Sequence, residues 1–171
     1  MHVADLDVVP LFGRLTPDER EEFASFLQPR DFRRGETIFA EGGPEETFYI
    51  LASGNIEVSK QVHGGRKQRL AVVQAPTVVG EMGLLTEPRA CASVVARSAV
   101  KAYGIERDQF LELLDADNPA ACKVVYEIGR TLAERMARTD ETVSDLIAEL
   151  ESRESRDLGV FGDRLIRDWS F

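Results

Sequence analysis

Histidine is nearly missing from this chain: His2 near the N-terminus and His63 in a glycine turn are the only two among 171 residues. A metalloenzyme centre needs clustered His and acid ligands, and this sequence cannot supply them. No imidazole is placed for a Ser/His/Asp or Cys/His nucleophilic site either, so catalysis is not expected and both histidines read as solvated. Cysteine is equally scarce. Cys91 and Cys122 lie far apart, with neither a disulfide framework nor metal spacing, and are expected to be reduced, half-buried, small apolar side chains. No run of about 18 apolar residues occurs, which excludes a membrane-spanning helix. The opening "MHVADLDVVPLFGRL" lacks the basic start and continuous apolar stretch of a signal peptide, so a cytoplasmic location is expected. Positive charge is also in deficit: 21 Lys and Arg against 30 Asp and Glu give a formal net charge of -9. An acidic surface repels phosphate backbones and argues against direct nucleic-acid binding. It does not exclude a small anionic ligand, because a single pocket decides that interaction.

What is present suits an ordinary soluble domain with an appended element. Residues 7 to 27 read as helical. In "LTPDEREEFASFL", Thr16 is the expected N-cap, Pro17 the first helical residue, and Phe23, Phe26 and Leu27 the buried face. From Arg30 to Ile105 the chain becomes a series of short runs, "ETIFA", "TFYILAS", "NIEVSKQV", "QRLAVVQ", "CASVVA" and "VKAYGI". Turn residues separate them, including Gly54 in "SGN". Evenly spaced strands without intervening helices predict a mainly β fold with flanking helices, an antiparallel β-roll or jelly-roll-like barrel.

After Glu106 the pattern turns helical again. "RDQFLELLDA" is a short amphipathic helix, and Pro119 opens a longer one reaching about Arg153. Leu132, Met136, Thr139, Val143, Leu146 and Leu150 alternate steps of three and four, a coiled-coil-like seam that predicts a homodimer through the helix at 125–150. The tail "LGVFGDRLIRDWSF" carries Phe161, Leu165, Ile166 and Trp169, which either fold back or dock a protein partner over 159–171. The division expected is 1–115 for helix and roll, 116–155 for the long helix, and 156–171 for the tail.

One stretch breaks the strand rhythm: "GEMGLLTEPRACASV", Gly80 to Val94. Gly80 lets backbone approach a ligand closely. The amides of residues 82 to 85 would be free donors of a short helix, which attract phosphate, and Gly83 keeps that approach open. Arg89 offers a planar, permanently charged fork for a phosphate. Glu81 is wrong for phosphate, but a carboxylate accepts well from a ribose hydroxyl. An acceptor and a cation on either side of an amide-rich turn describe a ribose cyclic monophosphate.

From about Leu11 to about Ala137 the chain resembles the cyclic nucleotide-binding domain family of kinase regulatory subunits, catabolite-activator-type regulators and nucleotide-gated channels. "RRGETIFAEGG" and "FYILASGNIEV" look like its opening strands, and "GEMGLLTEPRA" is similar to its phosphate-binding cassette. The resemblance implies the double-stranded β-helix fold. It assigns Glu81 to the ribose 2′-hydroxyl, Arg89 to the exocyclic phosphate oxygens, and backbone amides near Gly83 and Ala90 to the remaining oxygens. Leu84 and Leu85 would line or brace the pocket, with the long helix covering the base.

The implied binding set is Gly80, Glu81, Met82, Gly83, Leu84, Arg89, Ala90 and Cys91, with no cofactor. Ala90, rather than Thr or Ser, favours cAMP over cGMP. Glu81 and Arg89 are expected to pair when the site is empty. Three features depart from the family pattern: only Thr86 and Glu87 separate Leu85 from Pro88, Pro76 replaces a glycine, and Val79 replaces a bulky aromatic. Counted back from the following strand, Arg89 sits one place early, which a bulge could absorb. The alternative function is a ligand-free oligomerisation or interaction scaffold. A DNA-binding regulator is disfavoured, since fewer than twenty residues follow Arg153.

Overall fold

The computed structural model describes residues 6, 8–62 and 64–153, with side chains described through residue 149. The expectations for His2, His63, the side chain of Leu150 and the tail from 156 lie outside the described residues. Two compact units divide the chain, Met1–Ile128 and Gly129–Phe171.

The helical entry is broken where one continuous stretch was expected. A 3₁₀ turn at Pro10–Phe12 precedes helix α1, Pro17–Ser25. The break falls at Thr16, whose extended backbone (ψ 164°) starts a new helix. Its hydroxyl accepts from the Glu19 N–H at 3.3 Å, and the Glu19 carboxylate accepts from the Thr16 N–H at 2.7 Å. This reciprocal cap satisfies two otherwise orphaned donors.

Eight strands follow: β1 (Gln28–Phe32), β2 (Thr37–Phe39), β3 (Thr47–Ser53), β4 (Asn55–Val62), β5 (Arg66–Gln74), β6 (Thr77–Val79), β7 (Ser93–Ala96) and β8 (Val100–Glu106). They form two four-stranded antiparallel sheets in the orders β1-β8-β3-β6 and β2-β7-β4-β5. Sheets with helical flanks match the roll architecture. β1 and β6 are additions to the strands read from sequence. Helix α2 (Glu81–Leu85) sits between β6 and β7, and α3 (Arg107–Asp115) and α4 (Pro119–Arg153) follow β8.

Alternation explains how both faces of the first sheet are buried. In β3, Leu51 joins Phe32, Phe39, Ile56, Val79, Ala90, Val94, Ala96, Val100 and Ala102 in one cluster, with Tyr49 packed against it. The Tyr49 ring meets Phe32 edge-on at 5.4 Å and Phe39 at 5.8 Å. Phe48 and Ile50 point the opposite way, yet both are fully buried. A second aromatic group joins the flanking helices: Phe23 of α1 lies 5.7 Å from Phe12 and 6.3 Å from Phe110 of α3.

The start of α4 is fastened to α1. Asn118 accepts from the Ala121 N–H at 3.0 Å as a cap, and its amide donates to Glu22 at 2.7 Å. Lys123 donates to Glu19 at 2.6 Å, and the buried Glu127 pairs with Arg14. Cys91 and Cys122 are free but exposed, which corrects the half-buried expectation. In α4 the buried stripe is Ala120, Ala121, Val124 and Ile128, and Cys122 lies off it. Cys91 sits in a bend before β7. In the second unit Met136, Thr139, Val143 and Leu146 are exposed on α4. No helix among the described residues is long and apolar enough to cross a membrane.

β4 carries one cost. Ser59 follows a register shift at Val58, is almost wholly buried, and its hydroxyl has no hydrogen-bond partner among the described residues. A buried hydroxyl left unpaired costs about 1–3 kcal/mol. Ser59→Ala is therefore expected to leave stability unchanged or raise it by about 1 kcal/mol in urea unfolding; a loss of that size would reveal a bonded hydroxyl.

Candidate functional site

Gly80 opens the cassette with a left-handed backbone, φ +87°. A Cβ there would collide with the Thr47 carbonyl oxygen of β3 and approach the Phe39 ring to 3.1 Å. Glycine is required here by the neighbouring strand, since no other residue combines that dihedral with so close an approach. Glu81 begins α2 and is half-buried, Met82 is exposed, and Gly83 and Leu84 are buried. Leu85, expected to line or brace a pocket with Leu84, is exposed.

The far shoulder of the cassette is built by pairing with a distant turn. Pro44 and Arg89 form an isolated antiparallel bridge. Around it the Gly42 N–H donates to the Ala90 carbonyl (2.8 Å), the Ala90 N–H to the Gly43 carbonyl (2.9 Å), and the Glu45 N–H to the Pro88 carbonyl (2.9 Å). Ala90 turns into the core and Arg89 is exposed. Arg89 thus lies outside β7, separated from it by the bend at Cys91 and Ala92, so the parity of the strand does not determine which way its side chain faces. Its guanidinium makes no hydrogen bond or ion pair with another described residue, and the expected pairing with Glu81 is not formed.

One amide singled out for phosphate is engaged within the protein, and the other is crowded by a turn. The Ala90 N–H serves Gly43, as above. Gly83 lies against Glu45, whose Cγ and Cβ would stand 3.0 and 3.2 Å from a Cβ at position 83. Gly83 is small because the turn holding Glu45 presses on it, where the sequence suggested an open approach for a ligand. Glu45 itself is buried. Burial pushes its carboxyl above the ordinary value, hydrogen bonding from the Gly83 backbone N–H opposes that push, and the negative charge of Glu81 adds to it.

Arg107, the first residue of α3, completes the surroundings. Its Nε donates to the Gly83 carbonyl at 2.8 Å and its Nη2 to the Thr86 carbonyl at 3.4 Å, while its own N–H donates to the Glu46 carbonyl at 2.7 Å. Sequence reasoning missed both Glu45 and Arg107. An acid in a turn carries no signal. An arginine at the start of a helix does, because cations are disfavoured there unless other carbonyls take them.

Residues 29–117 match the model of the cyclic nucleotide-binding domain. The chain belongs to this family. It is similar to the CRP-like cAMP-activated global transcriptional regulator of Mycobacterium tuberculosis, 30% identical over 137 residues, which are 80% of this chain and 59% of that protein. It is also similar to the cAMP-dependent protein kinase regulatory subunit of Aspergillus niger, 34% identical over 74% of this chain and 30% of that protein. Among solved structures, the catabolite activator protein of Thermus thermophilus superposes with a TM-score of 0.72 at 29% identity, covering 80% of this chain and 62% of that one. The chain therefore spans under two thirds of the length of these relatives.

Two outcomes test this geometry. Gly80→Ala should cost about 1–3 kcal/mol in urea unfolding from the dihedral alone, with the collision adding to it; a neutral substitution would contradict the tight approach. Glu45 binds its proton more tightly folded than unfolded, so its contribution to stability is full below the ordinary value of 4.5 and is lost as pH rises through the raised one. Glu45→Gln removes that loss. Its melting temperature should gain on wild type as pH rises above the ordinary carboxyl value of 4.5; a constant difference would show the carboxyl is not perturbed.

Proposed function

We propose that this cyclic nucleotide-binding domain is a non-catalytic sensor of cAMP, bound in preference to cGMP at residues 80–91. The observation that carries this is Arg89: an exposed, permanently charged fork, without a partner among the described residues, on the shoulder of the cassette. A guanidinium in that state is available to an anion. Glu81 would accept from the ribose 2′-hydroxyl and Arg89 would hold the exocyclic phosphate oxygens. Gly80, Met82, Gly83, Leu84 and Cys91 would complete the contacts, whereas Ala90, buried and with its N–H and carbonyl both bonded to the turn at 42–43, would not. The printed descriptions of the relatives from M. tuberculosis and A. niger, cAMP-activated and cAMP-dependent, support this choice of ligand.

Signalling requires ligand contacts that differ between two positions of the closing helices, because equal affinity shifts nothing. Arg107 supplies a route, since it bonds the Gly83 and Thr86 carbonyls from the first residue of α3. The exposed line of Met136, Val143 and Leu146 suits a second copy's helix, and the chain would act as a cytoplasmic homodimer.

Calorimetric titration with cAMP and with cGMP tests the reading. Heat with cAMP is expected, and no heat with either nucleotide at millimolar concentration would return the domain to the scaffold reading. Arg89→Ala should weaken cAMP by about 1.5–3 kcal/mol, the value of a charge-assisted contact; unchanged affinity would remove Arg89 from the site. Sedimentation equilibrium of wild type and Leu146→Glu should show a dimer that the charge dissociates. A monomeric wild type would refute the seam.

A further inference from the structure

β4 outruns its partner β7 at both ends, and at each end a side-chain oxygen takes the backbone donor left over. At the first, the Asn55 carbonyl accepts from the Arg97 N–H at 2.8 Å, and the Asn55 N–H donates to Ser98 Oγ at 2.9 Å. The backbone groups of Asn55, and of every second residue after it, therefore face the β7 side. Gln61 is one of these. The pairs Glu57↔Val95 and Ser59↔Ser93, continued by two residues, would bring Cys91 opposite Gln61. The chain bends at Cys91 and Ala92 instead, and the Gln61 N–H donates to the Glu41 carboxylate at 2.7 Å. A side chain from the β2–β3 turn thus occupies the place that a carbonyl of a longer β7 would take.

Glu41 is held at its backbone too. Its N–H donates to Ser93 Oγ at 3.1 Å, and the next two residues exchange hydrogen bonds with Ala90. Residues 41–43 therefore span the bend, bonded to Ser93 on one side of it and to Ala90 on the other. Inside that bend lies the extra residue that sets Arg89 one place early relative to β7. Were β7 to run on through Cys91, alternation would turn Arg89 to the face of Cys91 and Ser93, in line with β4 and off its bridge with Pro44.

We propose that Glu41 is a positioning residue for Arg89: by taking the Gln61 amide it keeps Cys91 out of the β4–β7 ladder, and so holds the bend that carries Arg89 to the shoulder of the cassette. Glu41 acts through the backbone and not on the ligand. This rests on the cyclic nucleotide reading above and deepens it.

Titration with cAMP of wild type, Glu41→Gln, Glu41→Ala, Arg89→Ala and the double variant of Glu41→Ala with Arg89→Ala tests this. Amide hydrogen exchange at Gln61 is measured alongside on the ligand-free proteins. Glu41→Ala should bind cAMP about ten-fold more weakly than wild type and exchange the Gln61 amide faster. Glu41→Gln keeps an oxygen that accepts from that amide and should restore both to near wild type. In the Arg89→Ala background Glu41→Ala should add no further loss, since the residue it positions is gone. An undiminished loss in that background would overturn the positioning role, because the effect would not pass through Arg89. Unchanged cAMP affinity or unchanged Gln61 exchange in Glu41→Ala, with wild type binding, would overturn it too and leave the sensor reading standing. Silence from wild type towards cAMP would overturn the sensor reading and the positioning role together. Melts of the variants establish that each is folded.

Discussion

Gly42 to Ala90, Ala90 to Gly43 and Glu45 to Pro88 are three backbone hydrogen bonds between loops that would otherwise move independently. Backbone groups withdrawn from water must find partners, and here two loops supply them to each other. Several features follow from that short ladder. It directs Ala90 into the core and exposes Arg89, and it places Glu45 against Gly83. The chemistry of the cassette is thus set as much by the β2–β3 turn as by the glycine-acid segment that marks it in sequence.

The resulting site is acidic around its donors. Glu81 opens α2 and Glu45 lies against Gly83 of the same helix, while Arg107 bonds main-chain oxygens through Nε and Nη2. Arg89, exposed and without a partner among the described residues, and the buried Glu45 carboxyl carry opposite charge on either side of the bridge that joins the two loops.

Much of the architecture was legible in the sequence because it rests on local rules. The capping pair Thr16 and Glu19, and the alternating runs of β3, β4 and β8, are patterns within one segment. β1, QPRDF, went unread: it shows no apolar alternation, and its Pro29 is tolerated because β1 is at the edge of its sheet. β6 has only three residues before Gly80 and was absorbed into the interruption. At the site, the positions of Gly80 and Glu81 at the entry to a short helix were legible. The role of Gly83 was not. It depends on contact with a residue 38 positions earlier (83 − 45), and a single sequence offers no sign of which turn will fold over which helix.

Arg107 joins three pieces of chain through one side chain and one amide: the turn at Glu46, helix α2, and the beginning of α3. A guanidinium is rigid and planar, so the two carbonyls it grips cannot shift far apart without one bond breaking. The cassette and the first turn of α3 are consequently tied together, and a displacement of one beyond the reach of the Arg107 side chain costs the other a hydrogen bond.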